Sequence, residues 1–353
     1  AGEFSEITFG TKQTAMGMIE LKQLLFDGTY VVGVQGIKHF LDIANNVQEK
    51  TQLEIHRIIV DAYLGAIAAQ ANVMVLEENI NTLSKNVEEV HQLFRSGFEE
   101  EESVEQLQLT LTSLNNQLDY AKNMAELSHS VVKLLLGISL DSPLELSDQL
   151  EGLVLKNLSM EEEDPGYANN IDLRIAENLI TTEELFYRLE KAKGHPSLTA
   201  FVNGAYMGNN DSFGFTDKTQ KWFGSAAFGI RVKIPIFSSF GRTASAQKAK
   251  ITLEQAKTAF DESRSKVYYE YEQAKNNYRL AIKKHFNTKD QLNLAERIEK
   301  KNKTKFFEGL ASSFELRQAQ IQLYSIQQSY IQSMQAVVVQ KTALDIIINN
   351  NPQ

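Results

Sequence analysis

The chain has 353 residues, 42% apolar and 23% charged, with 45 acidic against 36 basic side chains and a formal charge of -9. That balance leaves no surplus of positive charge to follow a phosphate backbone, which argues against nucleic acid as a partner. The absence of cysteine excludes disulfides, thiol nucleophiles and cysteine-based metal sites.

Prolines number five, at Pro143, Pro165, Pro196, Pro235 and Pro352, so two long segments contain no helix breaker. No stretch approaches the roughly 18–20 consecutive apolar residues of a membrane helix, so a span, if present, is expected to be a β-barrel. The first residues show neither a basic nor an apolar leader region.

In chain order, 15–26 reads as a strand and 31–95 as one helix of about 65 residues, roughly 97 Å at 1.5 Å per residue. A turn at Gly97 follows. Beyond it Val104, Leu107, Leu111, Leu114, Leu118 and Ala121, continuing to Leu135, alternate spacings of three and four, a coiled-coil seam. A turn-rich segment with Pro143 and Pro165 precedes a helix at about 168–193, and the strand 197–207 then pairs as a hairpin with 225–237 across a Gly/Asn/Asp/Ser-rich loop.

The second strand alternates strictly. Phe228, Ile230, Val232, Ile234 and Ile236 share one face, and Gly229, Arg231, Lys233 and Pro235 the other, which is the pattern of a membrane strand with its apolar side to lipid and its polar side to a lumen. Trp222, Phe223 and Phe237 are candidate girdle aromatics. A second helix of about 65 residues occupies 243–308, with a turn at Gly309.

These elements repeat with a period of about 212 residues. Leu25-Phe26 matches Ile236-Phe237, Ser96-Gly97-Phe98 matches Glu308-Gly309-Leu310, and the first seam maps onto Leu316, Ala319, Leu323 and Ile326, continuing to Ile347. Gln106 and Gln108 likewise recur as Gln318 and Gln320. The six histidines are scattered without ligand spacing, and no nucleophile elbow or phosphate loop occurs, so neither a metal, a cofactor nor an enzyme activity is expected.

A strand hairpin feeding a very long helix, a glycine turn and a returning heptad helix, all duplicated, resembles the TolC-like outer-membrane efflux protein family. The residues that carry the resemblance are Ile234-Pro235-Ile236-Phe237 with Gly241-Arg242, Leu24-Leu25-Phe26-Asp27-Gly28, and His195-Pro196-Ser197-Leu198. The resemblance implies a mostly α chain with membrane β: a long α-helical coiled-coil barrel plus a share of a trimeric twelve-stranded β-barrel. On that pattern 1–28 holds a barrel strand, 29–137 a periplasmic helical hairpin, 138–167 an equatorial segment, 168–194 a helix returning to the barrel, 195–240 the β-hairpin and 241–349 the second helical hairpin. The family's first helix and first strand would precede the chain as given, with Ala1-Gly2-Glu3-Phe4-Ser5 in the loop between the first two strands.

The function so implied is a passive exit duct in the outer membrane of a Gram-negative bacterium: a homotrimer set in outer-membrane lipid and joined to a periplasmic adaptor and an inner-membrane pump. Gly97, Phe98, Gly309 and Leu310 would form the adaptor-docking tips. Glu315 falls where the family places an inward-facing acid that narrows the tunnel and favours cations, while the second acid of the pattern is replaced by Gln318. Such a ring would raise its own carboxyl pKa values by mutual repulsion. The competing reading is a soluble coiled-coil structural or adaptor protein whose strands form a small sandwich.

Overall fold

The computed structural model describes residues 10–158 and 166–349. The sequence expectations for Ala1–Ser5, for Asp164 and Pro165 and for Pro352 lie outside them. In chain order the elements are β1 (Gln13–Phe26), α1 (Gly28–Arg95), α2 (Glu101–Leu136), α3 (Leu150–Asn157), α4 (Ile171–Ala192), β2 (Ser197–Asn210), β3 (Trp222–Lys233), α5 (Gly241–Phe307) and α6 (Ser313–Ile347). The chain divides into two compact units, one built from 1–44 with 176–260 and the other from 45–175 with 261–353.

The first unit carries an antiparallel sheet in the order β1-β2-β3. Two rows define its register: Leu21 opposite Val202 opposite Phe228, and Lys22 opposite Phe201 opposite Gly229. A bulge at Leu25 interrupts the first ladder before its last pair, Phe26 with Leu198. The strand then passes straight into α1, whose first turn is capped by Asp27: its carboxylate accepts from the Thr29 hydroxyl and from the backbone N–H groups of Thr29 and Tyr30. These bonds hold the Asp27 carboxyl below the usual range.

The third strand is shorter than its alternation suggests. It stops at Lys233, and Ile234, Ile236 and Phe237 run on without a ladder. Pro235 has no N–H to donate, and its carbonyl is taken by the Arg242 guanidinium at 2.9 Å, which turns the chain toward α5 instead of extending the sheet.

The second unit is a helical assembly with two cores. In one, Leu64, Ile67 and Ala68 of α1 meet Leu150 and Val154 of α3, Tyr278 and Ala281 of α5, and Met334 and Val337 of α6. In the other, Leu76, Leu83 and Val90 of α1 meet Val104, Leu107 and Leu114 of α2, with Phe306 and Leu316. The seam residues Val104, Leu107, Leu114, Ala121 and Val132 are buried as their spacing requires, while Leu135 is exposed. On α6 burial extends well beyond one seam, taking in Gln320, Ile331, Met334, Val338 and Thr342 as well as Leu316, Ala319, Leu323 and Val337, because neighbours cover it on more than one side.

Within α1 an 18-residue window is apolar enough by length and composition to cross a membrane, contrary to the expectation from uninterrupted runs. It coincides with 58–75, where Asp61, Gln70 and Asn72 break the run yet leave the average apolar. Its Leu64, Ile67 and Ala68 serve the first helical core. The short helix α3, too brief to show a helical period, is tied down by two tyrosines: Tyr63 donates to Asp148 Oδ2 at 2.6 Å, and the Tyr278 hydroxyl donates to the Asn157 carbonyl. Elsewhere in this unit Arg174 reaches both oxygens of Glu49 at 2.9 Å and Asn46 at 2.6 Å, while Asn349 also bonds Glu49.

Candidate functional sites

The sheet sorts its side chains completely. Its strands hold four charged residues, Glu20, Lys22, Arg231 and Lys233, and the register places all four on one face, opposite Asn203, Phe201, Thr199 and Ser197 respectively. The other face carries Ile19, Leu21, Val202, Tyr206, Trp222, Phe228, Ile230 and Val232 and no charge at all. Its apolar side chains are bare: Phe228 is 88% exposed. Large apolar groups left open to water over a whole face are unstable without a covering phase or partner. β1 and β3 each pair with one neighbour only, so among the described residues both edges of the sheet are open.

Of the residues expected on the apolar face, Phe228, Ile230 and Val232 lie on the strand. Ile234 and Ile236 are exposed but lie beyond it, so they do not belong to the ladder. Of the girdle candidates, Trp222 stacks on Tyr206 on the apolar face, Phe223 falls on the charged face, and Phe237 lies outside the strand.

The two helix turns are copies. Gly97 N–H bonds the Phe94 carbonyl and Phe98 N–H the Leu93 carbonyl; Gly309 N–H bonds Phe306 and Leu310 N–H bonds Lys305. Each partner is displaced by the same repeat interval. This double bond pattern is a Schellman closure, and it needs a left-handed residue at its centre. Gly97 and Gly309 supply it, at φ 76° and 73°. The residue after each glycine projects outward: Phe98 is 82% exposed and Leu310 73%.

Glu315 opens the helix that follows the second turn. Its Oε2 accepts from the Ser312 backbone N–H at 2.8 Å and from the Ser312 hydroxyl at 3.1 Å, and its own N–H donates to Ser312 Oγ, a complete capping box. The side chain is therefore exposed but tied to its own helix end, where the Ser312 N–H and hydroxyl hold the carboxyl below the usual range. Gln318 is exposed one turn later, while Leu316 and Ala319 are buried.

Sequence reasoning missed a polar layer. Asn79 Nδ2 donates to Gln327 Oε1 at 2.7 Å between α1 and α6. One heptad along both helices, in opposite chain directions, stand Asn86 and Gln320, both essentially fully buried and with no hydrogen-bond partner for either amide. The signal was present: Leu76, Leu83 and Val90 recur every seven residues, and Asn79 and Asn86 sit three positions after the first two.

Residues 167–350 match the family model described as outer membrane efflux protein. No curated protein matches the sequence. Among solved structures, the chain is similar to the outer membrane protein VceC of Vibrio cholerae (15% identity, 96% of this chain and 87% of that one, TM-score 0.73). It is also similar to CusC (13%, 96% and 83%, 0.78) and to the MtrE outer membrane channel of Neisseria gonorrhoeae (13%, 95% and 80%, 0.71). At these identities the likeness establishes the fold, a TolC-like arrangement of long helices and a small sheet.

Proposed function

Because the chain belongs to the outer membrane efflux protein family, we propose that it is the outer-membrane exit duct of a tripartite efflux or secretion system. Three copies share one closed β-barrel in the outer membrane and continue it as a helical tunnel in the periplasm. The observation that carries this reading is the sorted sheet: all its charges are on one face, none on the other, and among the described residues both edges are unpaired. In lipid every strand edge needs a partner, and a face without charge belongs against hydrocarbon. Neighbouring copies supply the first and the membrane the second.

Conduction is passive; energy comes from an inner-membrane pump. The exposed Phe98 and Leu310, each fixed by a rigid left-handed turn, dock a periplasmic adaptor, and Glu315 with Gln318 stands at the entrance of the tunnel. A planar-bilayer experiment tests the reading. Purified protein should give discrete, long-lived conductance steps and should need detergent to remain in solution. A protein that stays soluble and monodisperse without detergent and gives no current would instead be the soluble coiled-coil protein.

A further inference from the structure

The charges on the polar face of the sheet are neither balanced nor spread out. Lys22 is neutralised by Glu20 at 2.8 Å. Arg231 and Lys233 have no carboxylate within ion-pair distance among the described residues, and β2 beside them carries no acid. Asp27, the acid that follows β1, is occupied by the first turn of α1. Both free cations lie in the last rows of β3, where the sheet gives way to the chain leading into α5.

Arg231 is also held in position. The Phe201 ring lies across the strand over Gly229, so close that a Cβ there would meet the ring tip at 3.2 Å and displace it by a few tenths of an ångström. The Arg231 guanidinium stands 5.1 Å from the centre of that ring. A guanidinium packed on an aromatic face keeps its N–H groups available to a second partner and loses little freedom on binding it, and its fork matches the oxygens of phosphate or carboxylate.

We propose that Arg231 and Lys233 form a collar that binds polyvalent oxyanions at the helix-side end of the barrel lumen, and that the duct thereby favours anionic over cationic solutes at this level. The proposal rests on the channel reading above.

The test is single-channel current with inorganic tripolyphosphate, or in a second arm citrate, added on the barrel side. Wild-type current is blocked, the Arg231→Gln/Lys233→Gln double variant is blocked about tenfold more weakly, and Arg231→Lys/Lys233→Arg retains the block. Block by tripolyphosphate alone identifies phosphate as the preferred oxyanion, and block by both identifies the class. Equal block of the Gln variant and wild type, or a conducting wild type that neither anion blocks, overturns the collar and leaves the channel standing. A wild type without current overturns the channel reading and the collar with it. Thermal unfolding in detergent provides a readout independent of conduction: tripolyphosphate raises the Tm of wild type but not of the Gln variant, and an equal rise in both overturns the proposal.

Discussion

Asn79 Nδ2 lies 2.7 Å from Gln327 Oε1, a side-chain bond joining the first long helix of one repeat to the returning helix of the other. Its counterparts one heptad on, Asn86 and Gln320, are buried without partners. Buried amides between helices weaken the pairing and fix its register, since an amide opposite a leucine in a slipped arrangement is worse still. The double change Asn86→Leu/Gln320→Leu is expected to raise stability by about 2 kcal/mol, because both unsatisfied groups go together. Asn79→Leu alone leaves Gln327 without its partner and is expected to cost about 1–3 kcal/mol. Thermal unfolding of the two variants against wild type measures both effects, which should differ in sign.

The faces of the sheet are separable by mutation. Ile230→Arg, on the apolar face, should destabilise the assembled barrel by about 2–4 kcal/mol if it sits near the bilayer midplane. Ser225→Arg on the opposite face of the same strand should change conductance with little loss of stability. Ile234→Arg should cost less than Ile230→Arg, since Ile234 lies past the end of the ladder. Heat resistance of the assembly in detergent ranks the three, and an equal loss for Ile230→Arg and Ser225→Arg would mean that the faces are misassigned.

At Glu315 the choice of substitution decides what is learned. Glu315→Gln retains an oxygen able to accept the Ser312 N–H and hydroxyl, so the capping box survives while the charge is lost. The expected outcome is unchanged assembly with reduced cation preference, read as a shift of the reversal potential in a salt gradient. Glu315→Ala removes cap and charge together. It should lower the melting temperature, because the Ser312 N–H and hydroxyl lose their acceptor, and is the poorer probe of selectivity.

His285 gives the helical unit a dependence on pH. It is buried in α5, stacked on Tyr330 with ring centres 5.4 Å apart, and its Nδ1 has no partner. Burial first, and the Lys289 charge second, hold its pKa below the ordinary histidine value. The folded protein thus resists the proton that the unfolded chain accepts at about 6.5. Stability is complete above that pH and is lost as pH falls from it toward the lowered folded value, below which this residue contributes no further change. Melting temperatures at pH 7.5 and 5.5 should differ more for wild type than for His285→Phe.

Much of this architecture is legible in the sequence because it follows from periodicity. The strict alternation before Lys233, the heptads after Gly97 and Gly309 and the scarcity of proline each impose a local geometry, and the repeat reappears in identical hydrogen bonds at the two turns. What escaped depends on partners remote in sequence. Alternation continues through Ile236, but a strand ends where its neighbour stops pairing, and Arg242 bonding to Pro235 decides that point. The exposed position of Glu315 follows from helical spacing, whereas its capping by Ser312 is a different use of the same residue. Neither the seat of Phe201 over Gly229 nor the bond from Asn79 to Gln327 can be found without the cross-strand and cross-helix registers.

The central claim is that this sheet is one part of a barrel shared among copies, and the mass of the purified protein in detergent tests it most directly. After subtraction of bound detergent, the account predicts a single species of three times the mass of one chain that resists dissociation until heated, since closing the barrel leaves no strand edge open. A stable species of one times that mass, with the sheet intact by circular dichroism, would contradict it.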